Sequence, residues 1–481
     1  MSLKPLVFLL GVALATPFAC AENLSDIYRD AVAFDAQYAS ARAVFQATQE
    51  KLPQARAGLL PNVSASANVS HNSLDTSAFP SSTFTSNSWA VSGVQPIFRW
   101  QNWVVLDEAR AQVNAAGTQL KAAEQDLILR TAQAYFDVLQ AEDNIDFIRA
   151  QKAAIAEQLA AAKRSFEVGT ATITDTNEAQ ARFDLATAQE IAAQNDLEVR
   201  NRTLFKVTGK SYAKLARLNP KADLKQPEPL SIDDWVSRAQ QANVNVVLQR
   251  YLKTIADQEI RRNRAGHYPT LDLTASYTDN HNQSFGSTQI DSKNSILGVE
   301  LNIPIYQGGL ISSQVREAVA NQEKARRDLD NATREAILQT NQAFLNAKNG
   351  IAQVMALDQA LVSSQVSLDS TQLGLEVGVR TNVDVLNAQQ QVYSARKDLA
   401  AARYTFLLSV LNLKAASGGL SAADLDQIDT VLTAMREEMP QQTEPTPMPP
   451  NARAPVPTRL TPSSASYGLQ LSRELGLAAP R

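Results

Sequence analysis

Leu375-Glu376-Val377-Gly378-Val379-Arg380-Thr381-Asn382-Val383-Asp384-Val385-Leu386-Asn387-Ala388-Gln389 is the stretch whose reading decides the fold. It has an earlier echo in Phe166-Glu167-Val168-Gly169-Thr170-Ala171-Thr172-Ile173-Thr174-Asp175: Glu-Val-Gly recurs, and an Asp follows each Gly by six residues. Each copy lies between two long helical patterns. Gly reaches the left-handed conformation that ends a helix, and a Thr or Asn a few residues on caps the next one. Each copy therefore reads as a tight helix-to-helix turn.

Outward from the first turn, residues 101–167 contain no proline, and apolar residues recur every seventh position at Val113, Leu120, Leu127, Ala134, Ala141, Ile148, Ile155 and Ala162. A helix of that length is roughly 100 Å long, more than a globular domain needs. The second long helix is expected over 310–375, with return helices over 175–207 and 382–416. Farther out the period changes to two, the mark of strands with one apolar and one polar face, over 62–71, 88–98, 270–279 and 295–305. A Ser- and Thr-rich loop is expected between the first two strands. Ser25 to Ala57 has helical spacing, with Pro53 kinking its end, and Trp235 to Arg264 repeats it.

The two halves are one unit duplicated. Arg56-Ala57-Gly58 matches Arg264-Ala265-Gly266, and Pro61 and Pro96 match Pro269 and Pro304, all 208 residues on. Past the strands the offset becomes 209, as in Gly169 with Gly378 and Asp175 with Asp384, which suggests a residue gained in the second long helix. The expected organisation is a first repeat over 22–209, a proline-containing linker over 210–230, a second repeat over 231–418, a short helix over 419–436, and a proline-rich disordered tail over 437–481.

Residues 1–21 read as an export signal: Lys4, an apolar run from Leu6 to Ala15, and small residues at Ala19-Cys20-Ala21 before Glu22. Cys20 is the sole cysteine, so cleavage after Ala21 leaves no disulfide and no sulfur metal site. A lipoprotein would put Cys20 first, but Pro17 stands where a lipobox normally has Leu. Without Lys4 the balance is 44 basic against 49 acidic residues, which gives no reason to expect a nucleic-acid partner. After the signal, no segment approaches the apolar length of a membrane-spanning helix.

Strands of about ten residues with one apolar face are near the length that crosses a bilayer when tilted. In lipid such strands must close into a barrel, because an open edge leaves backbone groups unsatisfied. Four strands are too few, so chains must associate: two would give eight strands and a filled barrel, three would give twelve and room for a channel. The competing reading is a pair of soluble hairpins packed on helices.

Taken together, Arg-Ala-Gly-x-x-Pro before each first strand, Ile303-Pro304-Ile305-Tyr306-Gln307-Gly308-Gly309, and the turn at Val377 to Leu386 make this chain resemble the TolC family of outer-membrane efflux proteins over about Glu22 to Met435. The resemblance implies a mixed fold, all-α with membrane β: a homotrimer whose twelve-stranded outer-membrane β-barrel, four strands per chain, continues into a long periplasmic α-helical barrel. It implies a channel-tunnel for secreted polypeptides (type I secretion) or toxic small molecules. The partners implied are a periplasmic adaptor protein, an inner-membrane transporter of ABC, RND or MFS type, and outer-membrane lipid. No catalytic centre, cofactor or metal is implied.

Carried over residue by residue, Arg380 matches the family's latch arginine and Asp175 its carboxylate partner. Asp384 matches the outer of two inward-facing acidic positions. The second is Asn387 here, and the latch tyrosine before Glu376 is Leu375. Val168, Gly169, Val377 and Gly378 form the turn tips where an adaptor would dock. Read without the resemblance, Asp384 is a helix-start carboxylate favoured by the helix dipole, and Arg380 a solvated turn charge.

Other signals are weaker. Thr208-Gly209-Lys210-Ser211 ends like a phosphate-binding loop, but Leu204 stands where the first Gly is required. Gly374 and Gly378 make a GxxxG pair better explained as a helix end. His71, His267 and His281 read as exposed loop residues without metal spacing, and no nucleophile–base pattern supports an enzyme. A rival function is a structural or adhesive coiled-coil stalk without a pore, which would show heptads without interleaved hairpins.

Overall fold

The computed structural model describes residues 22–77, 79–169, 172–219, 222, 224–285 and 288–432. The expected signal (1–21) and tail (437–481), with the last residues of the expected short helix, lie outside the described residues. The first repeat runs α1 (Leu24–Phe34), α2 (Ala36–Gln49), α3 (Lys51–Ala57), β1 (Asn62–Thr76), β2 (Phe79–Phe98), α4 (Trp100–Glu167) and α5 (Ile173–Thr208). The second runs α6 (Ile232–Ala242), α7 (Val244–Arg264), β3 (Thr270–Phe285), β4 (Thr288–Asn302), α8 (Leu310–Glu376) and α9 (Asn382–Ala416), with α10 (Ala423–Leu432) after it.

The first helix of each repeat is not continuous, as its spacing had suggested. It breaks at Asp35 and at Asn243, positions 208 residues apart. Asp35 caps α2 by accepting from the Tyr38 amide at 2.7 Å, and it pairs with Arg130 at 2.9 Å. Asn243 accepts from the Asn245 amide at 2.9 Å and donates to the Ala416 carbonyl at 2.8 Å. A capping side chain restarts the helix without disturbing the apolar stripe, so periodicity carries no trace of the break. A second break falls at Glu50, which puts Pro53 in the first turn of α3, where its missing N–H costs nothing.

The strands form one antiparallel sheet in the order β1-β2-β3-β4. They run longer than the apolar alternation, and the expected loop over 71–87 is mostly strand. There the hydroxyl-rich segments bond across the ladder: Ser70 to Ser86 at 2.9 Å, Asn72 to Ser86 at 2.9 Å and His71 to Thr85 at 3.2 Å. His71 and His281 are thus strand residues, and His281 sits between Asp279 and Asp291 at 3.2 and 3.3 Å. β4 stops at Asn302 rather than 305, because Pro304 cannot donate to the ladder. The residue gained in the second repeat lies in the connection before Leu310, not in the helix: α8 has 67 residues against 68 in α4, and Gly308 and Gly309 both have positive φ there.

The sheet's apolar face carries Val63, Val69, Trp89, Leu297, Val299 and Leu301, all uncovered by the chain. Leu297 is 78% and Val69 73% exposed, values a water-facing sheet would not favour. Among the described residues β1 and β4 each pair on one side only.

Each long helix is paired with its return helix, α4 with α5 and α8 with α9. The seams repeat every seven residues: Ala179, Ala186 and Ala193 on α5, and Val385, Val392, Leu399, Phe406 and Leu413 on α9, are all buried. Midway along, a larger core gathers α1, α10, the 210–230 linker and the middle of α4 around Leu24, Ile27, Leu127, Tyr135, Phe136 and Leu425. Tyr135 donates to the Ala216 carbonyl at 2.6 Å, and Asp429 of α10 accepts the Leu24 amide at 2.9 Å. Arg217 of the linker reaches Asp146 at 2.7 Å and Glu142 at 3.3 Å on α4.

Candidate functional site at the helix-turn tips

The two turns are geometric copies. α4 ends at Glu167 with Val168 as its C-cap, and Gly169 takes φ 75° before Thr172 caps α5. α8 ends at Glu376 with Val377 as its C-cap, and Gly378 takes φ 76° before Thr381 caps α9. In each turn glycine is needed for its left-handed backbone rather than for space, since an added Cβ would meet nothing within 4 Å. Val168, Val377 and Val379 project uncovered at the tips, with Val379 76% exposed.

Asp175 and Asp384 both close capping boxes. The Asp175 carboxylate accepts from the Thr172 amide at 3.0 Å and hydroxyl at 2.9 Å, and that hydroxyl accepts from the Asp175 amide at 3.3 Å. Asp384 repeats this with Thr381 at 2.9, 2.9 and 3.3 Å. The Thr381 amide, then its hydroxyl, and the Arg380 charge beyond them hold the Asp384 carboxyl below the usual carboxylate range. The helix-start reading of Asp384 thus describes its contacts within one chain.

Within one chain the structure does not bring Arg380 to Asp175. Arg380 makes no ion pair among the described residues. Its side chain lies over Gly374, where a Cβ would come 2.6 Å from Arg380 Cγ, and the Gly374 carbonyl accepts the Val379 and Arg380 amides at 2.9 and 3.1 Å. Gly374 is therefore a helix-end residue kept bare by the turn.

Asn387 is exposed, one helical turn beyond Asp384, and has a partner that sequence reasoning missed. Arg182 Nη2 on α5 donates to Asn387 Oδ1 at 2.9 Å, while Arg182 Nε donates to Glu178 at 2.9 Å. Further rungs join the first repeat to α9: Gln151 donates to Gln390, Tyr393 Oη donates to the Ala150 carbonyl at 3.2 Å and Tyr404 Oη donates to Asp143 at 2.6 Å. The Glu178–Arg182 spacing of four was the one visible signal; the partner 205 residues away was not.

The family model described as outer membrane efflux protein matches residues 27–210 and 235–419. Outer membrane protein TolC of Vibrio cholerae is 35% identical over 420 residues, covering 87% of this chain and 95% of that protein. Alkaline protease secretion protein AprF of Pseudomonas aeruginosa is 30% identical over 419 residues, covering 85% and 87%. Among solved structures, the CmeC outer membrane channel of Campylobacter jejuni superposes with a TM-score of 0.73 at 17% identity, covering 86% of this chain and 90% of that one. The outer membrane protein VceC of Vibrio cholerae superposes at 0.70 and 18% identity, covering 82% and 96%.

Proposed function

We propose a mechanism from one premise: the chain belongs to the outer membrane efflux protein family. It is an outer-membrane channel for type I secretion or drug efflux, with a helical part in the periplasm. Its relatives are channel proteins rather than enzymes.

The finer reading is a homotrimer, and the observation that carries it is the four-stranded sheet whose two edges have no partner among the described residues and whose apolar face is uncovered. In lipid those edges must be satisfied. β1 of one chain pairing with β4 of the next closes the ring, and three chains give twelve strands, wide enough to leave a passage. The paired long helices continue that passage through the periplasm. A periplasmic adaptor seats on the exposed valines of the turn tips, Val168 and Val377 beside Gly169 and Gly378, and an inner-membrane transporter delivers the substrate.

At the tips, Arg380 has no ion-pair partner in its own chain among the described residues, so it is available to a neighbour's Asp175 and latches adjacent chains. Asp384 from each chain forms a ring of three carboxylates, with Asn387 at the second ring position. Like charges gathered on a narrow axis favour cations. The test is deletion of the gene, comparing sensitivity to drugs and detergents with the set of extracellular proteins. Loss of both phenotypes' difference from the parent strain would oppose an export role; heightened sensitivity or a missing secreted protein supports it and names the substrate class.

A further inference from the structure

Asn387 is the position where a second carboxylate would stand if the entrance carried two acidic rings, and the structure places a guanidinium against it. Arg182 reaches Asn387 Oδ1 at 2.9 Å, and its other bond goes to Glu178, one turn back on its own helix. The Arg182 side chain keeps 27% of its exposure and that of Glu178 keeps 42%, so neither charge is buried. Among the described residues, the charged groups tied to the second ring position are Arg182 and, through it, Glu178, with Asp384 and the Arg380 charge that acts on it one turn away. With Asn387 neutral, the cation of Arg182 offsets the Glu178 carboxylate, as that of Arg380 acts on Asp384.

We infer that Arg182 sets the charge selectivity of the entrance. It holds Asn387 as a hydrogen-bond acceptor and places a positive charge beside the second ring, so the entrance is only weakly cation-selective and passes anionic as well as neutral cargo. Replacing Arg182 by Gln leaves Glu178 unpaired and makes each chain one unit more negative, three units for three chains around one axis. At a narrow opening walled by protein, such a change acts directly on the permeability ratio of small ions. Asn387→Asp has a different signature. With Arg182 present the new carboxylate gains an ion pair across the two return helices, and its charge is offset where it stands. With Arg182→Gln it adds to Glu178 and Asp384.

This inference rests on the turn tips being the narrow entrance, and the experiment separates the two. The purified full-length protein is incorporated into planar bilayers under a KCl gradient, and the reversal potential is read for wild type, Arg182→Gln, Arg182→Lys, Asn387→Asp, Arg182→Gln with Asn387→Asp, and Asp384→Ala. Arg182→Gln should raise the potassium-to-chloride permeability ratio by about two- to fivefold, Arg182→Lys should stay near wild type, and Asn387→Asp should act more strongly in the Gln background than alone. If Asp384→Ala lowers the ratio while Arg182→Gln leaves it unchanged, the role given to Arg182 is wrong. If neither changes it, the entrance lies elsewhere and the underlying reading fails. Should Arg182→Gln not assemble, Asn387→Asp alone decides: a large rise in the ratio with Arg182 in place contradicts the offset.

Discussion

Asp175 and Asp384 stand 209 residues apart and do the same thing: each accepts the amide and the hydroxyl of the threonine three residues before it. The duplication has preserved a cap in both turns. Any further role of Asp384 at an axis is added to a carboxylate already engaged in holding the start of its helix.

That double engagement separates two substitutions. Thr381→Ala removes the hydroxyl of the box and weakens the start of α9 by about 1 kcal/mol, while keeping the Asp384 charge. Proteolytic nicking at the turn should rise and block of the channel by divalent cations should persist. Asp384→Asn keeps an acceptor and removes the charge, so block should weaken with little added nicking. The Asp384 carboxyl is held below its usual range; a lowered folded-state value means the charge and its cap are present above that range and lost only as pH falls through the lowered value. Cation block should therefore survive mild acid, and a loss of block near neutral pH would contradict the assignment.

Arg380→Ser should raise single-channel conductance by loosening the closed tip. Because Arg380 has no ion-pair partner among the described residues of its own chain, the substitution should leave thermal unfolding of the helical hairpin near wild type. Unaltered conductance would count against the latch.

The glycines give a contrast of magnitude. Gly378→Ala meets no atom within 4 Å and suffers only the left-handed backbone, about 1 kcal/mol, so the protein should assemble with a slightly lower melting temperature. Gly418→Ala would drive a Cβ into the Ala242 carbonyl at a positive φ, where backbone meets backbone and neither can move aside. Assembly, read as yield of folded protein in the outer membrane, should be lost.

Asp35 gives a pH-dependent test away from the tips. The Arg130 guanidinium, helped by the Tyr38 amide, holds the Asp35 carboxyl below its ordinary value. Its folded-state value is depressed, so the stabilisation is present above the unfolded carboxylate value and lost as pH falls through the folded one. Asp35→Asn should cost about 1 kcal/mol at neutral pH, and its melting curve should converge with that of the parent protein in acid. A constant gap across pH would mean that the cap, not the ion pair, carries the effect.

The fold class was legible because its signals are periodic: seven residues for the helical seams, two for the strands, and about 208 for the whole unit. What periodicity does not encode was missed. Asp35 and Asn243 interrupt helices without interrupting their apolar stripe. The polar ends of β1 and β2 look like loop because their stability comes from hydroxyls bonding across the ladder, at Ser70 with Ser86 and His71 with Thr85. In the candidate site the capping threonines and the Val-Gly turns could be read locally. The Arg182–Asn387 bond could not, since it depends on how two return helices from different repeats lie side by side.

We propose that this chain closes, with two copies of itself, into a pore. The most direct measurement takes the purified outer-membrane protein, compares its migration in detergent gels unheated and heated, and records the same sample in planar bilayers. The expected species runs as a trimer until heated and opens stable single channels. A species that runs as a monomer in both lanes and forms no pores would contradict it.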